Sequence, residues 1–349
     1  MLKKLSFSQI YLLLAILLAL TVLASLSIGS IHFNPSEVLD YLLYGSGFKS
    51  HFIGTELDKN IFLQLRLPRV LLCGFTGAVL SVSGVLMQGL FRNPIVEPGL
   101  VGTSAGAALG ASILFVFGKE NLFSFTAPLG SFVLPVMAFT GSFLATILVY
   151  SIASSFGKVN VFILLLTGIA INAICNAGTG ILSYLARDPQ ARSITFWNLG
   201  TFTTADWRSA NIVGVSFVGC YLMARRYAKS LNALMLGEEE ARFLGIDTKR
   251  LTRQLLIINT IMVAIATAMV GVIAFVGLII PHLLRLMRSS DYRFLIPASA
   301  LLGAGLMEIC DICARVIIPP AELPIGIITS IIGAPVFILI LIKQLLKHD

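Results

Sequence analysis

The feature that most limits what this chain can become is a recurring apolar run close to the ~20 residues that an α-helix needs to cross a bilayer. Such runs fall at residues 10–30, 67–89, 99–117, 127–153, 160–185, 209–224, 254–271, 273–287, 296–315 and 324–343. The seventh and eighth share a stretch, 255–286, that is too long for one helix and too short for two full spans with a loop. Gly271, Gly277 and Pro281 point to a short eighth helix there. A chain that is 57% hydrophobic and 12% charged, with a mean hydropathy of +0.92, is far from the soluble average. The expected fold is all-α: a polytopic integral membrane protein of about ten transmembrane helices, forming one domain over residues 1–349.

Thirty glycines are spread through the apolar runs. Lipid offers no hydrophobic drive for helix association, so small residues that admit close backbone approach supply the packing. Gly102, Gly106 and Gly110, four apart, mark one face of the third helix for such contact. The five cysteines lie in or beside apolar runs and read as buried thiols. Cys310 and Cys313 lack a second Cys/His pair at metal spacing, so no metal is assigned. Lys3 and Lys4 ahead of residues 10–26 resemble a secretory signal, but the apolar part exceeds a usual signal core. An uncleaved first helix with a cytoplasmic N-terminus is expected. Ten spans return the C-terminus to the same side, and 16 of the 25 Lys and Arg then fall inside. The net charge of +8 is thereby explained by topology, and a nucleic-acid partner has no support.

Three polar segments interrupt this pattern. Residues 31–62 are expected outside, with Asn34-Pro35-Ser36-Glu37 as a short helix start. Residues 187–208, also outside, hold Trp197 and Trp207, either as an interfacial aromatic belt or as one wall of an outer vestibule. In the vestibule reading Arg192 makes a weak charge-assisted contact with an anionic group. The cytoplasmic segment 225–253 is the most charged, yet Leu231, Leu234, Met235, Leu236, Phe243 and Leu244 give it apolar anchors. It reads as two short amphipathic helices broken at Gly237, a docking surface rather than a solvated loop. Leu234, Leu236 and Phe243 would seat it, while Glu238, Glu239, Glu240 and Arg242 fix its register.

Arg66 and Arg69, three apart at the outer mouth of the second helix, and Arg315 at the outer end of the ninth read as snorkelling or docking charges. Exposed docking charges add orientation and association rate more than affinity. Glu308, Asp311 and Arg315 share a helix face. Ionisable groups in a span are costly and usually paired, so they form an Asp311–Arg315 pair or a proton relay. The stretch 91–99 reads as a tight turn, and His282 as a structural hydrogen-bonding residue.

RLPR at 66–69, FRNPIVEPGLVG at 91–102, LGEEEARFLGI at 236–246, FVGLIIPHLLRL at 275–286 and ELPIGIITSIIGAPVF at 322–337 follow in consistent order. Together they resemble the permeases of ABC importers for iron siderophores, haem and cobalamin, from about residue 60 to 343. The resemblance implies a type II importer permease in the bacterial cytoplasmic membrane. It implies a homodimer, occasionally a heterodimer, with a central path, two cytoplasmic ATP-binding subunits and an extracytoplasmic substrate-binding protein. It also implies salt bridges from Arg66, Arg69 and Arg315 to the binding protein, and an inner exit narrowed by Asn93 and Ile95. A second constriction is expected before the fifth helix, where related chains carry small hydroxyl residues. Val161 and Phe162 are the nearest match here and depart from that pattern.

The chain lacks GxxxxGK[ST], so ATP and Mg belong to the partner ATPase and no cofactor is expected in this subunit. An intramembrane enzyme is rejected, because HExxH is absent and His282 is a lone histidine beside Pro281. A proton-coupled secondary transporter is the second class; the docking segment and the shortage of carboxylates deep in the spans weigh against it. QARSITFWNLGT at 190–201 is closest to haem and ferric-chelate permeases, which favours an iron chelate over cobalamin.

Overall fold

The computed structural model describes residues 5–29, 31–48, 52, 54–118, 130–154 and 160–345. Lys3, Lys4, Lys49, Lys119, Lys158 and Lys347, which entered the orientation argument, lie outside them. Every regular element among the described residues is helical: α1 (Phe7–Ser27), α2 (Pro35–Gly45), α3 (Glu56–Ile61), α4 (Leu67–Leu90), α5 (Thr103–Phe117), α6 (Val133–Ser154) and α7 (Val161–Leu185). There follow α8 (Asp188–Asn198), α9 (Trp207–Arg226), α10 (Ala228–Leu234), α11 (Glu238–Phe243), α12 (Thr248–Val270), α13 (Val276–Met287), α14 (Tyr292–Val316) and α15 (Ile325–Leu345). Each of the ten apolar runs coincides with one of these helices, and the rest are short connectors at the two ends of the bundle.

α4 is the central post, buried nearly all round, with α14, α13, α12 and α9 packed on it. Its glycines let neighbours touch backbone to backbone. A Cβ on Gly84 would lie 1.8 Å from the Gly277 carbonyl oxygen of α13, inside any permissible contact. The glycine stripe of α5 does the same against α6: a Cβ on Gly106 would meet the Gly141 carbonyl at 2.4 Å, and one on Gly110 the Met137 carbonyl at 2.2 Å. The spacing-four pattern thus marks a true helix crossing, held by dispersion at short range.

Two membrane elements are too short to span alone. At ~1.5 Å per residue, α5 is roughly 22 Å long and α13 roughly 18 Å, against a hydrocarbon core of ~30 Å. Irregular chain completes each one. The turn 91–97 and a 3₁₀ turn (Pro98–Val101) precede α5, and residues 271–275 join α12 to α13, with Gly271 (φ 79°) and Phe275 (φ 70°) in left-handed backbone. α12 begins six residues earlier than the apolar run, because Asp247 caps it: its Oδ1 accepts from Arg250 N at 2.9 Å.

The polar segments also fold. Asn34 N donates to Glu37 Oε2 at 2.8 Å and Pro35 occupies the first turn, so α2 starts where the sequence placed it. Residues 188–198, expected only as a polar outer segment, form α8. Arg187 N donates to Gln190 Oε1 at 3.1 Å and Pro189 fits the first turn.

Gly84→Leu should prevent α13 from reaching α4. Detergent-solubilised protein should lose about 1–3 kcal/mol or fail to accumulate. Gly180→Ala on α7, where nothing lies within 4 Å, should leave thermal stability unchanged.

Candidate functional site: a gated end and a charged end

At the end of the bundle bearing α10 and α11, a cavity of about 600 Å³ is bordered by Arg92 and Asn93 of the α4–α5 turn. Val161 and Phe162 at the start of α7, and Glu238, Glu239 and Arg242 of α11, complete its wall. Two groups of residues chosen separately from the sequence, for an inner exit and for docking, meet here. Asn93 holds the turn, its Oδ1 accepting from Ile95 N at 3.0 Å, and Ile95 is exposed beside it. Asn160 caps α7 in the same way, accepting from Phe162 N at 2.8 Å.

Within the charged segment 225–253, α10 and α11 are two short helices divided at Gly237, whose φ of 140° suits glycine. Its apolar anchors divide into two sets. Leu236 and Phe243 are 68% and 90% exposed, and Met235 and Leu244 are also exposed, while Leu234 is buried with Leu231 in the bundle core. Leu234 is therefore corrected from an external seat to a root that holds α10 in place. Arg242 Nη2 donates to Glu238 Oε1 at 2.6 Å, and both side chains meet Thr248 Oγ1 at 3.2 Å, which ties α11 onto the first residue of α12. Glu239 and Glu240 are exposed.

Asp291 fastens α10 to α14. It accepts from Asn232 Nδ2 at 2.7 Å and from Arg293 N at 2.8 Å, and pairs with the Arg293 guanidinium at 2.7 Å. The Arg293 contact, with the Asn232 and backbone bonds, lowers its pKa from the ordinary 3.8 to about 2. A depressed carboxylate stabilises the fold above its unfolded pKa and loses that contribution as pH falls toward 2.

At the opposite end, the expectation that Arg66, Arg69 and Arg315 present exposed charge is overturned. Arg66 is buried, donating to the carbonyls of Leu26 (3.2 Å), Ile28 (2.9 Å) and Ile31 (2.9 Å). Arg315, also buried, donates to Ile28 O at 2.7 Å and Ser25 Oγ at 2.8 Å, and its Nε lies 3.0 Å from Asp311 Oδ2. Arg69 pairs with Asp311 Oδ1 at 2.8 Å and Glu322 Oε2 at 2.9 Å. The last carbonyls of α1 lack intrahelical donors, and two guanidiniums supply them. Reversing these charges therefore disrupts the fold before it tests docking. Both Asp311 oxygens are committed to arginines, as an Asp311–Arg315 pair requires.

Arg192 is exposed on α8, as expected. Trp207, expected beside it, is committed elsewhere: its indole Nε1 donates to Leu63 O at 2.9 Å. Phe196, Trp197, Asp206 and Arg208 border a second cavity of about 460 Å³ between α5, α6, α8, α9 and α12.

A polar niche opening between α5, α7 and the α12–α13 break was not anticipated. A cavity of about 370 Å³ is bordered by Glu97, Ser104, Asn172, Asn176 and Asn198. Glu97 Oε1 accepts from Phe275 N at 3.1 Å, so a carboxylate does reach between the spans. Asn172 and Asn176, four apart in an otherwise apolar helix, were the available signal.

With this geometry in place, comparison with known proteins decides the family. The model of the FecCD transport family matches residues 17–343. The chain belongs to the FecCD transport family. It is 40% identical over 285 residues to the hemin transport system permease HmuU of Yersinia pestis, covering 82% of this chain and 84% of that one. It is 34% identical over 330 residues to the vitamin B12 import permease BtuC of Escherichia coli, covering 95% and 94%. An inward-facing ABC transporter assigned to the metal-chelate type superposes with a TM-score of 0.82 at 31% identity, covering 96% of this chain and 99% of that one. This FecCD member is thus an ABC importer permease, with the fold of a type II importer, and not an enzyme.

Two outcomes follow. Arg315→Glu should uncap α1 and face Asp311 with a like charge. It should cost about 3–5 kcal/mol, read as lost thermal stability or lost monodispersity in detergent. Asp291→Asn should cost about 1 kcal/mol at pH 7, after solvent screening, and flatten the acid dependence of melting between pH 4 and 2.

Proposed function

We propose that this permease moves an iron chelate, haem or a ferric siderophore, across the bacterial cytoplasmic membrane as one half of a homodimer. The observation that carries this reading is the gated end: exposed apolar Leu236 and Phe243 stand on two short helices beside the cavity formed by Asn93, Val161 and Phe162. An ATP-binding subunit that holds ATP and Mg seats there, with both termini on that cytoplasmic side. The substrate-binding protein docks at the opposite end, on the surface around α8 where Arg192 is exposed. Arg66, Arg69 and Arg315 would serve that docking by fixing the shape of the outer rim rather than by free charge.

Haem is favoured over cobalamin by the higher identity to the hemin permease, 40% over 285 residues against 36% over 280 for a vitamin B12 permease. A wide, weakly interacting path suits either ligand, and selection then rests with the binding protein. Proton-coupled transport is disfavoured because Asp311 is held by two arginines.

Proteoliposomes containing the permease with its ATP-binding subunit, supplied with the loaded binding protein, test this. ATP-dependent uptake of haem or a ferric siderophore is expected. Cobalamin uptake alone would overturn the substrate, and uptake driven by a proton gradient without the ATPase would overturn the class. Leu236→Asp should lower retention of the ATP-binding subunit by about tenfold, since it places a charge in an apolar contact, while the permease still folds.

A further inference from the structure

The turn that narrows the gated end is irregular backbone inside a membrane protein, and lipid cannot satisfy its polar groups. Two side chains from neighbouring helices satisfy it instead, and the turn's own Glu97 satisfies a backbone N–H in return. From α12, Asn259, with no exposed surface, donates through Nδ2 to Pro98 O at 3.3 Å. At the α12–α13 break, Phe275 N donates to Glu97 Oε1 at 3.1 Å. From α7, Asn172 Nδ2 donates to Gly99 O at 3.3 Å and Leu100 O at 3.2 Å. Packing reinforces the chemistry: a Cβ on Gly277 would meet Pro98 Cγ at 2.6 Å, and one on Gly168 the Leu100 carbonyl at 2.1 Å.

These bonds complete a continuous load path. Arg242 and Glu238 fasten α11 to Thr248, the first residue of α12. Unbroken helix runs from Thr248 to Asn259, eleven rises of ~1.5 Å or roughly 16 Å. Beyond it, Pro98 and Glu97 lie in the same turn as Asn93, and on the far side Asn172 belongs to the helix whose first residues, Val161 and Phe162, form the facing wall of the cavity.

We infer that Glu97, Asn259 and Asn172 are positioning residues that carry movement of α11 to both walls of the inner gate, through α12 on one side and α7 on the other. A push on α11 tilts α12, and the turn follows because its Pro98 carbonyl is bonded to that helix and Glu97 to the break that follows it. α7 follows because Asn172 is bonded to the turn. The inference rests on the importer reading above and names the chain's own parts that would execute it.

Asn259→Leu is the decisive variant. Thr103 Oγ1 also donates to Pro98 O, at 3.4 Å, so that carbonyl keeps a partner and the fold should survive. The permease complex, reconstituted with its ATP-binding subunit and binding protein, is measured in two ways. One is haem imported per ATP hydrolysed. The other is the distance between spin labels on Arg92→Cys in the two permease copies, with and without ATP. The wild type should couple and change its distance with nucleotide. Asn259→Leu and Glu97→Ala should hydrolyse ATP, yet import about tenfold less per ATP, the equivalent of one lost buried hydrogen bond, and show little nucleotide-dependent change in distance. Glu97→Gln, which keeps the acceptor, should restore both readouts. Wild-type coupling and distance change in Asn259→Leu and Glu97→Ala would overturn the inference and leave the importer reading standing. Absence of ATP-driven import in the wild type would overturn both.

Discussion

Backbone hydrogen bonding in a low-dielectric surround is the constraint on which this structure depends. A buried amide or carbonyl without a partner costs about 1–3 kcal/mol, and lipid offers none. Most of the chain meets this demand by being helical. It departs from it in two places, the turn before α5 and the α12–α13 break, and those two departures are packed against each other. Gln88 of α4 joins them, donating to the Gly277 and Leu278 carbonyls at 3.3 and 3.1 Å, while its own carbonyl accepts from Arg285. Irregular chain is tolerated there because neighbouring helices supply amide and carboxylate partners. The same partners make the gate a part of its surroundings.

The opposite end meets a different cost. Three arginines, Asp311 and Glu322 lie near the mouth of the bundle, where burying any one charge alone would be prohibitive. The cluster works because Asp311 and Glu322 offset the charges of Arg69 and Arg315, and Arg66 and Arg315 direct their remaining N–H donors to the unfilled carbonyls at the end of α1. α1 packs along α14 from the Phe7 and Tyr11 rings on Phe294 at one end to this cluster at the other, which ties its C-terminal end to α4 and α14. One end is thereby stiffened while the other retains short, exposed helices and an open cavity.

Much of the fold was legible. Apolar length located the main helices of the bundle, six of them long and apolar enough to cross a membrane, Gly237 divided α10 from α11, and the Gly102–Gly106–Gly110 stripe located the α5–α6 crossing. These signals are local, depending on one helix or one dihedral angle. What escaped is non-local. α8 is too polar to register as an apolar run, although Asp188-Pro189 is a helix start. Arg66 looks exposed in sequence because its carbonyl partners lie 35 to 40 residues upstream. Leu234 and Leu236 are indistinguishable by residue type, and only the packing of α10 on α14 and α4 separates the buried one from the exposed one. Glu97, Asn172 and Asn259 become meaningful only when α7, α12 and the turn are placed together. A polar residue in an apolar span was the one sequence-level hint.

The central claim is that the α10–α11 face receives the ATP-driven partner and that the α8 face receives the cargo carrier. Photocrosslinking in intact membranes that contain the whole complex tests it most directly, with a photoreactive side chain replacing Phe243 in one preparation and Arg192 in another. The account predicts capture of the ATP-binding subunit from position 243 and of the substrate-binding protein from position 192. Capture of the ATP-binding subunit from position 192, with none from 243, would contradict it.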